Sequence, residues 1–239
     1  MNEEYIIEEC IFSITANISG AKGSFNLIPI DKKAESIIEF LNDEEKAVEW
    51  LINDSDFRAL VFKNLFEDAS NVKWFTGLKE PFISKQQKPG DIDLLLVNPL
   101  RSEKSIAIEC KIVKAKSSET GEAKINKVEK IKKGIVQANK YLTVGFSQSY
   151  LMIIVLDDGR NSKIPNVLLR GTKYEDLKRM YDFPFLKYLK KEVGLIYIHL
   201  NQISSSIESA RRIGCNIERR ASQIKQKKSI TNSIQNLLQ

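Results

Sequence analysis

Pro89-Gly-Asp-Ile-Asp-Leu-Leu-Leu-Val97 and, after a short polar loop, Ser105-Ile-Ala-Ile-Glu-Cys-Lys-Ile-Val113 decide how this chain is read. Pro89-Gly90 is a turn signal. Ile92 to Val97 is a mostly apolar run stopped by Asn98-Pro99, and the loop from Leu100 to Lys104 joins it to the second run as a hairpin. Apolar residues at consecutive positions mark the first strand as covered on both faces. The charges that interrupt these runs are therefore informative. Asp93 stands near the start of one strand, and Glu109 and Lys111 stand two apart on the next. Side chains at i and i+2 share a sheet face, so Glu109 and Lys111 are neighbours with Cys110 on the opposite side. In a hairpin of this length Asp93 can lie across from Glu109.

Two adjacent carboxylates repel, and Lys111 neutralises only one of them. A hard divalent cation resolves the conflict. Mg²⁺ (or Mn²⁺) takes one or two carboxylates and fills its other positions with water and substrate phosphate. Asp93 and Glu109 are the expected metal ligands, with the backbone carbonyl of Cys110 as a further one. A cation there polarises a phosphate and generates hydroxide. Lys111 can orient the attacking water or offset developing charge. The competing reading is a salt bridge on a solvated strand face. Context favours the site: apolar residues flank the triplet on both sides, a Gly-Asp-x-Asp turn precedes it, and a long helix and another apolar strand follow.

Working outward, Asp43-Glu-Glu ahead of Ala47-Val48 and Trp50-Leu51-Ile52 places acids in the first turn of a helix. Ser55 can cap a second helix with Phe57, Leu60, Val61, Leu65 and Phe66 on one face. Val72 to Leu78 reads as strand and loop. Downstream, Val128, Ile131, Ile135, Ala138 and Leu142 recur at helical spacing between Lys124 and Leu142. Tyr150 to Leu156 is a further strand. The core order is helix, three strands, helix, strand. Before it, Tyr5 to Ile14 and Phe25 to Ile30 read as extended segments turned at Gly20 and Gly23, a hairpin on the edge of the main domain. After it, residues 173–191 read as helical with a break at Pro184, and residues 194–200 as a strand. His199 lies within this strand as a packing or surface residue. From Ile203, the residues Ile207, Ala210, Ile217, Ala221 and Ile224 suggest an amphipathic helix with a basic outer face. The expected domains are an N-terminal extension over 1–42, the core over 43–200 and a basic helix over 201–239.

The hairpin resembles the signature of the PD-(D/E)XK superfamily, the restriction-endonuclease-like nucleases. The resemblance spans about residues 45–157. It implies an α/β fold with an αβββαβ core, a central mixed sheet flanked by helices, to which this chain adds N-terminal strands and a C-terminal helical extension. It matches the family aspartate to Asp93, with Asp91 as a lesser substitute on the same face, and the family Glu-x-Lys to Glu109 and Lys111. Many members carry Gln and Tyr on the following helix, and Gln137-Ala-Asn-Lys-Tyr141 is similar. The resemblance implies that Gln137 helps hold the site or the DNA backbone. Many members also place a metal-supporting glutamate on the first core helix. Here Glu49 and Glu67 are the candidates, and the metal count, one or two, stays open.

The 239 residues are 42% hydrophobic and 28% charged, enough for one sizeable core plus an appendage. No apolar run is long enough for a membrane span, and the acidic start lacks the basic region of a secretory signal, so the expectation is a cytoplasmic protein. Cys10, Cys110 and Cys215 are far apart and odd in number, which argues against disulfides and structural zinc. The net charge of +6 is local: residues 211–239 hold seven basic residues against Glu218 alone. Such a segment suits a polyanion, and equally a solvated face that binds nothing. The expected activity is hydrolysis of DNA phosphodiester bonds (RNA being a second substrate class), with this segment and Lys124, Lys127, Lys130, Lys132 and Lys133 meeting phosphates. No Walker A loop is present, so no ATP is called for from this chain. The alternatives are an inactive module of the same fold that binds nucleic acid or protein, and an interaction protein whose C-terminal amphipathic helix pairs with a partner, the apolar face from Ile203 to Ile224 serving a homodimer as well as intramolecular packing.

Overall fold

The apolar hairpin lies inside a sheet, as its composition requires. The computed structural model describes residues 13–14, 21–27, 44–53, 58, 61–63, 65–66, 70–78, 91–115, 121–157, 187–203 and 210–239. The elements are β1 (Ser13–Ile14), β2 (Ala21–Leu27), α1 (Glu44–Asn53), β3 (Lys73–Leu78), β4 (Ile92–Val97), β5 (Ile106–Ala115), α2 (Gly121–Val144), β6 (Gln148–Asp157), β7 (Gly194–Ile203), β8 (Ala210–Arg219) and α3 (Lys228–Leu238). Eight strands form one mixed sheet in the order β1-β2-β8-β7-β6-β5-β4-β3. The central trio β5, β6 and β7 is parallel, and both flanks are antiparallel. From α1 to β6 the order is helix, three strands, helix, strand.

Alternation assigns the faces. Leu94, Leu96, Ile106, Ile108, Cys110, Ile112 and Met152 pack against Ala47, Val48 and Leu51 of α1. On the opposite face Val113, Leu151, Ile153 and Leu195 pack against Ile131, Ile135 and Ala138 of α2. Burial on both faces explains why β4 and β5 read as near-continuous apolar runs. Helices therefore cover both sides, and the α/β class holds. Asn98 ends β4 by accepting the Leu100 N–H, with Pro99 opening a single 3-10 turn. Gly145, with φ of +119°, ends α2, and its N–H returns to the Tyr141 carbonyl.

The C-terminal region differs from its sequence reading. Residues 210–219 are a strand between β2 and β7, and the helix begins only at Lys228. Ile213-Gly-Cys-Asn-Ile217 alternates with period two, and pairing on both sides prevails over the helical spacing of Ile207, Ala210, Ile217, Ala221 and Ile224. Residues 220–227 then cross the end of the sheet as an extended strap. Its N–H groups at Ser222, Ile224 and Lys227 donate to the carbonyls of Glu192, Ser147 and Gly145, each at 2.9 Å. α3 lays Ile230 and Ile234 on Ile92, Leu95, Tyr141 and Phe146. Burial of each isoleucine contributes about 1.5–3 kcal/mol.

At the other end of the chain, Gly23 lies within β2 opposite Cys215 rather than in a turn, and β1 and β2 are the sheet's own edge. β3, the opposite edge, covers most of the segment read as strand and loop. His199 is a β7 residue opposite Gly214. In the second helical stretch Arg58, Val61 to Lys63 and Leu65 are helical, whereas Ser55, Phe57, Leu60, the N-terminal residues before Ser13 and residues 173–186 of the stretch 173–191 lie outside the described residues. Among the described residues no helix is long and apolar enough to cross a membrane.

Candidate functional site

β4 and β5 are laddered through Leu96↔Ile106, Leu95↔Ala107 and Leu94↔Ile108, and there the ladder stops. One step further the register sets Asp93 opposite Glu109. Instead of a main-chain partner, the Cys110 N–H finds the Asp93 side chain, donating to Oδ2 at 2.7 Å. Glu109 and Lys111 share the face turned toward α2, while Cys110 joins the core on the α1 side. Lys111 Nζ lies 2.6 Å from Glu109 Oε1. It donates to the Cys110 carbonyl at 2.9 Å and to Glu44 Oε2 at 3.0 Å. Asp93, Glu109 and Lys111 thus converge, and the Cys110 carbonyl faces the same spot.

Glu44 was not singled out by the sequence as a site residue. It is the first residue of α1, and its other oxygen, Oε1, lies 2.9 Å from Lys130 Nζ on α2. Glu49, five residues on, is exposed, and Glu67 lies outside the described residues. Only the acidic cluster Asp43-Glu-Glu at the helix start hinted at Glu44. On α2, Tyr141 donates its hydroxyl to Glu109 Oε2 at 2.5 Å, with the Asp91 carbonyl oxygen 3.1 Å away. Gln137, one turn earlier, is half-buried and makes no hydrogen bond to Asp93, Glu109 or Lys111. Of that pair, the tyrosine reaches the centre.

The groups are in electrostatic conflict. Burial pushes the Asp93 carboxyl up to about 6, against the pull of the Cys110 N–H and Lys111. Burial and then the neighbouring Asp93 push Glu109 up to about 7, although Lys111 and Tyr141 favour its anion. Burial opposes the charge on Lys111, but Glu109, Glu44 and Asp93 outweigh it and hold the ammonium above the ordinary lysine value. Burial likewise opposes the Glu44 anion, and Lys130 and Lys111 bring that carboxyl below its ordinary value. Burial and Glu109 raise the Tyr141 hydroxyl, so it remains a donor. Four carboxyl groups here, counting Asp91 whose charge also raises Asp93, face two ammonium groups. Glu109 is 0% exposed, yet its Oε1 takes no well-directed hydrogen bond despite its nearness to Lys111. The cluster reaches solvent through half-buried Asp93 and through Glu44, whose side chain is 24% exposed.

The oxygens that could hold a metal are those of Asp93, Glu109, Glu44 and the Cys110 carbonyl. All are hard donors, suited to Mg²⁺ or Mn²⁺ rather than to zinc. Among the described residues no three His, Cys, Asp or Glu side chains form a ready cage. Mg²⁺ does not require one, since it is commonly held by one or two carboxylates with water and phosphate. A pocket of about 210 Å³ lined by Leu65, Phe66, Asn98, Arg101, Lys104, Gln148 and Gln223 lies at the other end of the same strands and holds none of these groups.

Several cations expected to meet phosphates have protein partners. Lys130 pairs with Glu44, and Lys132 with Glu129 at 2.7 Å. Arg219 donates to the carbonyls of Val193 and Lys190, and Lys227 to that of Thr143. Lys133, Lys225 and Lys228 are exposed, and the side chains of Lys124, Lys127, Arg211 and Arg212 lie outside the description. Comparison of the chain with family models, with curated proteins and with solved structures returned no match.

Proposed function

We propose that this chain is a metal-dependent nuclease of the PD-(D/E)XK type that hydrolyses phosphodiester bonds in DNA. The observation that carries the reading is the convergence of Asp93, Glu109 and Lys111 where β4 and β5 lose their ladder, with a buried Glu109 oxygen that is ion-paired to Lys111 but takes no well-directed hydrogen bond. The helix, three strands, helix, strand order agrees with it. A bound Mg²⁺ or Mn²⁺ would supply Lewis-acid polarisation of the phosphate and a hydroxide nucleophile at neutral pH. Asp93 and Glu109 would hold such a cation, with Glu44 and the Cys110 carbonyl beside them. Tyr141 fixes the orientation of Glu109. Lys111 offers an ammonium to the attacking water or to the charge gathering on the phosphate. Exposed Lys133, Lys225 and Lys228 add sequence-independent attraction for a polyanion.

A second reading has its own observation. Glu109 is fully buried and Lys111 is engaged by three oxygens, as in an ion-pair network of an inactive module that binds nucleic acid or protein. Purified protein incubated with plasmid, linear and single-stranded DNA and with RNA, in Mg²⁺ or Mn²⁺, separates the two. The nuclease reading expects cleavage that EDTA abolishes and that Lys111→Ala and Asp93→Ala lack. Cleavage by those variants at the parent rate removes the site assignment. Salt-sensitive binding without cleavage favours the module. The homodimer through a helical Ile203 to Ile224 face loses its basis, because β7, β8 and an extended strap account for its described residues.

A further inference from the structure

α2 carries a glycine, Gly134, in its buried middle, flanked on the inner face by Ile131, Ile135 and Ala138. Glycine inside a helix is less favourable than alanine. What stands against it explains its presence. A Cβ at Gly134 would lie 2.6 Å from Lys111 Cγ, 3.0 Å from Leu151 Cδ1 and 3.3 Å from Lys111 Cε. Carbon atoms attract best at about 3.5–4.0 Å, so the shortest of these lies deep in repulsion.

We propose that Gly134 is a positioning residue for Lys111: the missing side chain is the channel through which the lysine stem runs, and it sets where the ammonium stands. This rests on the reading that Lys111 serves a phosphodiester-cleaving centre, although the steric relation does not. The stem cannot simply swing aside. Its Cγ is one bond from the Cβ anchored on β5. Its far end is tied to the Cys110 carbonyl, Glu44 and Glu109. A methyl group at position 134 therefore either turns the stem and draws the ammonium off those oxygens, or lifts α2 from β5. Lifting α2 also carries Tyr141 away from Glu109.

The test is Gly134→Ala in three backgrounds: the parent, Lys111→Met, which keeps Cγ, and Lys111→Ala, which removes it. Gly134→Ala is expected to lower the thermal midpoint by about 3 °C or more in the parent and in Lys111→Met, and by less than about 1 °C in Lys111→Ala, where only the branch tip of Leu151 stands against the gain in helix propensity. Equal losses in all three backgrounds overturn the proposal. If Lys111→Ala does not fold, Lys111→Ala/Glu109→Gln replaces it, since it also lacks a γ atom at position 111 and removes the buried carboxylate that the lost ammonium leaves unpaired. In cleavage assays Gly134→Ala is expected to lower kcat at least tenfold with KM within twofold, since Lys111 acts after the substrate is bound; an unchanged kcat also overturns it. If the parent itself cleaves nothing, the nuclease reading fails and the thermal cycle decides the role of Gly134 on its own.

Discussion

At the start of β5 Ser105 meets Gln226, and midway along the same strand Glu109 and Lys111 meet Asp93, Glu44 and Tyr141. Both clusters are polar and largely buried, and they are built differently. Gln226 Oε1 accepts from the Ser105 N–H at 3.2 Å and from its hydroxyl, while Nε2 donates to the Ser102 carbonyl at 2.8 Å and to Thr231 at 2.9 Å. The amide is neutral and fully satisfied, and it ties the strap to the β4–β5 turn. The second cluster is charged and surplus in carboxylate, with two carboxyl groups raised toward neutrality. A satisfied buried network rigidifies a fold, whereas a half-satisfied one weakens it and is retained where it serves a ligand.

The difference breaks most sharply at Asp93. Asp93→Asn keeps an oxygen for the Cys110 N–H and removes a charge beside Glu109. Cleavage is expected to fall by about 10²–10³-fold. The metal-free thermal midpoint at pH 7.5 is expected to rise, a trade of function for stability. A lower midpoint means that the carboxylate is structural. The opposite pattern is expected of Gln226→Leu. It leaves the Ser105 N–H and the Ser102 carbonyl unpaired, at about 1–3 kcal/mol each. Differential scanning calorimetry should show a loss of about 5 °C or more, with cleavage at 20–25 °C kept within about twofold.

Acidity sharpens the comparison further. Asp93 and Glu109 have folded values of about 6 and about 7 against ordinary values of 3.8 and 4.5. Groups raised in this way favour the fold fully below their unfolded values, and that contribution is lost as pH rises through the folded ones. Glu44, lowered, acts in the other direction below its ordinary value. Metal-free stability is therefore expected to peak near pH 5 and to fall by about 3 °C or more by pH 8, with 10 mM Mg²⁺ restoring most of the loss. A flat profile means the carboxyls are not held apart from solvent. The smallest effect belongs to Tyr141→Phe, which removes one hydrogen bond to Glu109. Mn²⁺ affinity by calorimetry should weaken about tenfold, as for other partners of metal ligands.

The hairpin was legible because burial on two faces leaves an unbroken apolar run, in which three charges stand out. Strand alternation then placed Glu109 beside Lys111 and Asp93 across from them. Glu44 was not legible. Its partnership with Lys111 is set by how α1 seats on the sheet, and no local spacing encodes that distance along the chain. Gln137 and Tyr141 share a helix face, but the height of α2 over β5 selects which of them touches Glu109. The region after Ile203 carried two periodicities at once, and only the presence of β7 and β2 on either side selects the extended one. Gly134 leaves the helical pattern from Lys124 to Leu142 undisturbed, and its meaning needs the lysine that passes beneath it.

β2 pairs with β8 across most of the chain, Lys22 meeting Asn216, and Tyr141 rests on Ile230 and Ile234. During synthesis, a ribosome that has delivered β3 to β6 has made every acidic and basic group of the candidate centre, but not the helix that supports Tyr141 from below. Pairings so distant in sequence close slowly. The centre is therefore completed late, after residues about 120 positions downstream of Lys111 have emerged and docked.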